Sequence, residues 1–138
     1  MGYLVKLDTN GTNSNILSEV ISKNLVDYVA MDIKAPLQKY NLINSNNISL
    51  EEVKSSIEIL LKSNIEYEFR TTFSPDISLD DLEDICKTIK GAKNYYIQKY
   101  NNVEYNKKNM KQRPISDYER AKTIAEKYIK NVGIRGLN

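Results

Sequence analysis

Two short apolar segments of this chain each end on an aspartate, and each is followed by a helical segment. The first runs from Tyr3 to Asp8 and the second from Tyr28 to Asp32. Apolar runs of this length, followed at once by turn-forming residues, favour strands. Strands that alternate with helices form parallel sheets, and α/β folds bind ligands at the carboxyl ends of those strands. The sequence therefore places Asp8 and Asp32 together at a candidate ligand-binding edge.

The same alternation continues to the end of the chain, so we predict a parallel α/β sheet with right-handed crossovers and its helices on one outer face. Strands are expected near residues 3–8, 28–33, 66–73, 94–99 and 132–135. Helices are expected over residues 14–24, after Ser49, after Ser78 and over residues 116–130. Either a segment of a barrel or an open doubly wound sheet satisfies this pattern.

Two of these predicted helices are preceded by residues that are typical of helix N-terminal caps. Ser49 and Glu52 have the spacing of a capping box, in which the hydroxyl accepts from a backbone amide and Glu52 reaches back to Ser49. Ser78 is expected to cap the next helix, where Asp80 and Asp81 suit the positive end of the helix dipole. Both signals support the predicted boundaries.

The composition of the chain disfavours several classes of function. The 138 residues are predicted to form one domain, 1–138. A net charge of +2 gives no electrostatic footprint for nucleic acid or for a membrane surface, and no apolar run is long enough to span a bilayer. The absence of histidine disfavours a hydrolytic triad or a zinc site. A single cysteine, Cys86, is consistent with a cytoplasmic protein without disulfides, and its helical spacing predicts a core residue.

Five segments, taken in order, resemble one family. They are Leu7–Gly11, Asp27–Lys34, Phe69–Thr72, Tyr95–Gln98 and Ile134–Gly136. Together they are similar to the carboxyl-terminal part of the radical S-adenosylmethionine activating enzymes. The likeness is greatest to the activating proteins of anaerobic ribonucleoside-triphosphate reductase, with pyruvate formate-lyase activating enzyme as a nearby relative.

The resemblance implies strands three to six of a partial (β/α)6 TIM-like barrel. It also implies a parent protein that binds a [4Fe-4S] cluster and S-adenosylmethionine, takes an electron from a donor and places a glycyl radical on a partner enzyme. The family's CxxxCxxC loop and Gly-Gly-Glu segment are absent from this sequence. We therefore expect the cluster only in a longer parent, and we expect the isolated chain to be inactive.

The resemblance also implies a set of cofactor-binding residues: Asp8, Thr9, Asn10, Asp32, Lys34 and Arg70. The two aspartates would accept hydrogen bonds from an amino group or ribose hydroxyls, or would hold a monovalent cation together with Thr9. Lys34, two residues beyond Asp32, would supply a positive charge for the ligand's carboxylate or ribose oxygens. Arg70 could equally form a structural ion pair with a carboxylate of the sheet.

Simpler interpretations stay open at this point. Residues 8–11 could be only a strand-terminating turn, Asp32 and Lys34 only a local ion pair, and the basic residues 107–113 only a solvated loop. The alternative function is a non-catalytic α/β binding domain, with a partner that supplies missing strands. A small nucleotide-binding enzyme is disfavoured because no glycine-rich phosphate loop opens a helix.

The first predicted strand follows the start of the sequence directly. We therefore expect an unpaired strand edge with exposed apolar side chains, and poor solubility or association through that edge.

Overall fold

A computed structural model describes residues 3–40, 49–101 and 113–137, and the sheet is its central element. Over these ranges the strands are β1 Lys6–Thr9, β2 Tyr28–Asp32, β3 Glu66–Thr72, β4 Asn94–Gln98 and β5 Asn131–Arg135. All neighbouring strands are parallel, in the order β1-β2-β3-β4-β5. The predicted α/β fold with a parallel sheet is confirmed.

Helices connect successive strands. They are α1 Ser14–Ser22, α2 Leu50–Lys62, α3 Leu79–Thr88 and α4 Ile115–Ala125, with a short 3-10 helix at Leu37–Lys39. Their apolar residues join one core cluster with alternate residues of the strands, such as Val29, Phe69 and Ile97. Because the side chains of a strand alternate between its two faces, this core covers one face of the sheet.

Three predicted boundaries differ from the observed ones by more than one residue: the start of β1, the end of α1 and the end of α4. Residues 3–5 lie outside β1 because β2 begins at Tyr28, whose partner in register is Lys6. Helix α1 ends at Ser22, ahead of a turn in which Asn24 has φ of 56°. Helix α4 begins at Ile115 and ends at Ala125, since the chain then turns and enters β5 at Asn131.

Only one of the two helix starts forms a capping box. Ser78 and Asp81 each accept a hydrogen bond from the other's backbone amide, which confirms Ser78 as the cap of α3. Ser49 accepts from the amide of Glu52 at 3.4 Å, but the Glu52 carboxylate turns away. It accepts hydrogen bonds from the amide and hydroxyl of Ser14, which lower the pKa of Glu52. The predicted return contact to Ser49 is therefore wrong, and Glu52 instead ties α1 to α2.

Cys86 is fully buried on α3, as its spacing predicts. Burial, reinforced by the nearby Glu83 carboxylate, raises the pKa of the thiol to about 12. The thiol is therefore protonated, and packs as a small apolar group.

Parts of two predicted loops, residues 41–48 and 102–112, lie outside the described ranges. No helix within those ranges is both long enough and apolar enough to cross a bilayer.

Candidate functional site

The sheet face opposite the helices is polar. Residues that share a row of the parallel register point to the same face. On this face the rows bring together Asp32, Arg70, Tyr96 and Gly133, with Asp8 and Glu68 one row behind. Carboxylates and guanidinium groups therefore face one another across β1 to β5.

The first of two charged groups on this face is the Arg70 cluster, which consists of Asp8, Asp32 and Arg70. Arg70 Nε lies 2.9 Å from Asp32 Oδ1, and its Nη1 lies 3.7 Å from Asp8 Oδ1. The Arg70 side chain is 13% exposed, whereas the side chains of Asp8 and Asp32 are 64% and 43% exposed. One largely buried cation thus lies between two carboxylates whose side chains remain substantially exposed.

The predicted proximity of Asp8 and Asp32 is realised through Arg70, not Lys34. The backbone of Lys34 lies past the end of β2, and its amide donates to the Tyr40 hydroxyl at 3.0 Å. Its side chain makes no ion pair with Asp8 or Asp32 within the described part of the chain. The binding roles of all four residues stay predictions.

Thr9 and Asn10 do not join the Arg70 cluster. Thr9 points to the helix-covered face, in register with Met31, and its hydroxyl accepts from the Gly11 amide at 3.0 Å. Asn10 Oδ1 accepts from the amide and hydroxyl of Thr12. Both side chains thus build the turn after β1, and Asp8, Thr9 and Asp32 do not converge on a common cation position.

Close packing fixes that turn. Gly11 has φ of 78°, and a Cβ placed on it would lie 2.1 Å from Met31 Cε. The Ser56 hydroxyl on α2 donates to the Gly11 carbonyl at 2.9 Å. Only glycine suits this backbone and this space, so the end of β1 and its Asp8 are held in place.

Sequence reasoning missed the second charged group, the Arg135 cluster of Tyr28, Glu68, Tyr96 and Arg135. The Glu68 carboxylate is 2% exposed, and Arg135 approaches both of its oxygens, at 2.7 and 3.2 Å. The Tyr28 hydroxyl donates to it at 2.7 Å. Arg135 Cζ lies 3.6 Å from the centroid of the Tyr96 ring. Each group of this cluster is thus held by another.

Gly133 makes the stack of Arg135 on Tyr96 possible. A Cβ on Gly133 would lie 2.8 Å from Cε1 of the Tyr96 ring. A glycine inside a strand often marks such a close approach, so Gly133 was the one sequence signal for this cluster.

Electrostatics follow from this geometry. Burial by itself raises the pKa of Glu68, but the hydrogen bonds from Arg135 and Tyr28 outweigh it, and the pKa falls below its ordinary value. Burial and the hydrogen bond to Glu68 raise the pKa of Tyr28. Burial lowers the pKa of Arg135, but the Glu68 carboxylate more than offsets this and raises it. At neutral pH the cluster therefore consists of a neutral phenol and an ion pair between the buried Glu68 carboxylate and Arg135, whose side chain is 41% exposed.

A shallow surface cavity of about 450 Å³, widely open to solvent, lies elsewhere, between α3 and α4. Its lining residues are Leu79, Ser116, Glu119, Arg120, Thr123 and Ile124. These residues belong to the outer helices, so the cavity is separate from the polar face. The two charged clusters, not this cavity, carry the chemically versatile groups.

Comparison with known proteins gives two similarities. The chain is 37% identical to a protein of Methanocaldococcus jannaschii provisionally named a glycyl-radical enzyme activating enzyme. That match covers 99% of this chain, which spans 60% of the relative's length. The fold is similar to a domain of pyruvate-formate lyase-activating enzyme from Bacteroides vulgatus, with a TM-score of 0.73 and 10% identity. This second match covers 98% of this chain and 83% of the other, and no family model matches the sequence.

Proposed function

We propose that this chain is the carboxyl-terminal part of a radical S-adenosylmethionine enzyme that activates a glycyl-radical enzyme. The observation that carries the proposal is the 37% identity, over nearly the whole chain, to a relative provisionally named a glycyl-radical enzyme activating enzyme. The similarity to a domain of pyruvate-formate lyase-activating enzyme supports the fold that such a role requires. Anaerobic ribonucleoside-triphosphate reductase is the partner we propose, because the ordered sequence segments are most like those of its activating proteins.

In this proposal the Arg70 cluster binds the methionine end of S-adenosylmethionine. Asp8 and Asp32 are exposed acceptors for the ligand's ammonium group, and Arg70 between them limits their mutual repulsion. Lys34, exposed just beyond β2, supplies a positive charge for the ligand's carboxylate. The donor set therefore fits a zwitterion. When bound, S-adenosylmethionine supplies the bond that the family cleaves reductively.

The residues of this chain do not fit the [4Fe-4S] cluster. Such clusters are held by cysteine thiolates. The single cysteine, Cys86, is buried on a helix with a thiol pKa raised to about 12. We therefore propose that the 138-residue chain alone does not cleave S-adenosylmethionine.

The test is binding of S-adenosylmethionine to the protein, measured by anaerobic equilibrium dialysis. Asp32→Asn should weaken binding by about 1.5–3 kcal/mol, roughly tenfold or more, because it removes a charged acceptor. Glu58→Gln is the matched control, since it removes one exposed carboxylate on α2. Cys86→Ala should also bind normally and lose only stability. Unchanged binding by Asp32→Asn, or an equal loss in Glu58→Gln, would overturn the site assignment.

A further inference from the structure

We propose that Tyr40 is a positioning residue for Lys34: its buried hydroxyl fixes the backbone from which Lys34 meets the carboxylate of the ligand. This inference rests on the proposed function, because it deepens the role given there to Lys34. It is carried by the contacts that hold the loop after β2, residues 33–40, and it predicts an effect on one chemical group of the ligand.

Ile33 carries the sheet pairing one residue past the end of β2. Its amide donates to the Arg70 carbonyl at 2.7 Å, and its carbonyl accepts from the Thr71 hydroxyl at 2.8 Å. Lys34 follows as an exposed residue, and its amide donates to the hydroxyl of Tyr40. The backbone of Lys34 is therefore held by a side chain instead of by a neighbouring strand.

Tyr40 returns to Lys34 across a tight turn. The chain passes through Pro36 into the 3-10 helix, where the Lys39 amide donates to the Pro36 carbonyl at 2.8 Å. This turn brings the Tyr40 hydroxyl oxygen to 3.0 Å from the amide nitrogen of Lys34. Tyr40 is 3% exposed and belongs to the core cluster, so the acceptor has little freedom to move. Lys34 is thus tied to the core although it is itself exposed.

The same turn is tied on its outer side to the start of α3. Lys39 Nζ lies 2.7 Å from Asp81 Oδ1, and the Asp81 side chain is 9% exposed. The other oxygen of Asp81 accepts from the amide of Ser78, the cap of α3. Burial by itself raises the pKa of Asp81, but its contacts with Lys39 and Ser78 outweigh burial and lower the pKa. Because this second contact holds the loop, loss of the Tyr40 hydroxyl should alter Lys34 without releasing the loop.

The Tyr40 hydroxyl stays neutral between two charged residues of the candidate site. Burial raises its pKa, the hydrogen bond from the Lys34 amide lowers it, and the Asp32 carboxylate raises it again, with a net rise. A neutral hydroxyl adds no charge between Asp32, which serves the ligand's ammonium group, and Lys34, which serves its carboxylate. Tyr40 should therefore affect recognition of the carboxylate and leave recognition of the ammonium group intact.

The test compares two ligands in anaerobic equilibrium dialysis: S-adenosylmethionine and its decarboxylated form, which keeps the ammonium group and lacks the carboxylate. Tyr40→Phe keeps the buried ring and removes the acceptor of the Lys34 amide. It should weaken binding of S-adenosylmethionine by about fivefold and leave the affinity for the decarboxylated form within about twofold of wild type. Lys34→Met should weaken binding of the same ligand only. Adding Tyr40→Phe to Lys34→Met should bring little further loss, because the two residues act through one contact.

Tyr67→Phe is the matched control. The Tyr67 hydroxyl also accepts from a backbone amide, that of Lys93 at 3.3 Å, and Tyr67 is 1% exposed. Lys93 directly precedes β4, at the opposite end of the sheet. Tyr67→Phe should therefore leave both affinities unchanged, and hydrogen exchange at the Lys34 amide should become faster only in Tyr40→Phe. Asp32→Asn should weaken binding of both ligands, since both keep the ammonium group.

The outcomes separate this inference from the proposed function. Unchanged binding of S-adenosylmethionine by Tyr40→Phe, while Asp32→Asn and Lys34→Met weaken it, would overturn the positioning role and leave the proposed function standing. Unchanged binding by all three variants would overturn both. An equal loss for the two ligands in Tyr40→Phe, or losses in Tyr40→Phe and Lys34→Met that simply add, would show that Tyr40 only supports the fold and would also overturn the inference.

Discussion

The two charged clusters of the polar face contain the same kinds of groups but differ in how completely those groups are satisfied. In the Arg70 cluster, one guanidinium serves two carboxylates that are 64% and 43% exposed. In the Arg135 cluster, one carboxylate on a side chain that is 2% exposed accepts two hydrogen bonds from the Arg135 guanidinium and one from the Tyr28 hydroxyl. The first has an excess of open acceptors, whereas the second leaves its carboxylate fully occupied.

This difference separates a candidate ligand site from a structural pair. A buried carboxylate with all its partners inside the protein has little left to offer a ligand, and losing one partner is costly. Exposed carboxylates contribute little to stability and can exchange water for a ligand. The Arg135 cluster therefore joins β2, β3 and β5, and the Arg70 cluster is available for recognition.

The largest effect on stability is expected from Glu68→Ala. It removes the shared acceptor of Arg135 and Tyr28 and should lower the free energy of unfolding by about 2–3 kcal/mol, somewhat less than for a fully buried pair because Arg135 can be rehydrated. The free energies of unfolding of the variant and the wild type are measured by urea denaturation. Asp32→Ala is the counterpart in the Arg70 cluster and should cost under about 1 kcal/mol. Equal losses in the two variants would erase the distinction between the clusters.

Gly133→Ala should come next, with a loss of about 1–3 kcal/mol, since its Cβ would lie 2.8 Å from the Tyr96 ring. The ring would have to move, and the Arg135 stack would move with it. Combining Gly133→Ala with Tyr96→Ala removes the obstructing ring, so the two losses should not add. Strictly additive losses in urea unfolding would show that Gly133 acts through the backbone instead.

Acid should affect the Arg135 cluster through Glu68. Its pKa is lowered in the folded protein, so its contribution is complete above the ordinary value of 4.5 and is lost as the pH falls through the folded value. Each unit of pKa difference corresponds to about 1.4 kcal/mol. Unfolding free energies measured from about pH 6 down to about pH 2 should converge for wild type and Glu68→Gln. A gap between the two proteins that stayed constant with pH would contradict this assignment.

The smallest effect on stability is expected for Asp32→Asn. The variant keeps the shape of the side chain and an oxygen for Arg70, so its free energy of unfolding should change by less than about 0.5 kcal/mol. Thermal and urea unfolding would both detect a larger change. Glu68→Gln provides the comparison, because the same loss of charge there should cost more. If Asp32→Asn proved the more costly of the two, the Arg70 cluster would be the structural one.

The sequence was sufficient for a parallel sheet, because each short apolar segment is followed by a helix that returns the chain for parallel pairing, but strand–helix alternation alone left the order of the strands open between a barrel segment and a doubly wound sheet. It also located Asp8 and Asp32 at neighbouring strand ends. It could not reveal the Arg135 cluster, since Glu68 and Arg135 are 67 residues apart and meet only through the register of β3, β4 and β5. A local sequence pattern does not predict the register between strands that are far apart in the chain.

The expectation that Thr9 shares a cation position with Asp8 does not fit the structure, and the spacing argument for Lys34 does not apply beyond the end of its strand. Thr9 follows Asp8 directly within β1, and adjacent residues of a strand point to opposite faces. Lys34 lies beyond the end of β2 at Asp32, where the chain turns through Pro36 into the 3-10 helix, so the spacing of two residues does not predict the direction of its side chain. The period of a strand applies only while the strand continues.

The order of strands in the sheet is also their order in the chain, and this has a consequence for how the protein assembles. Each strand pairs with the next one to be synthesised, across about 20 to 40 residues. Loops of this length close at a modest entropic cost, and none of these five strands depends on a distant part of the polypeptide for the neighbour that follows it. This part of the sheet can therefore form in order from β1 to β5 as the chain leaves the ribosome, one strand and one helix at a time.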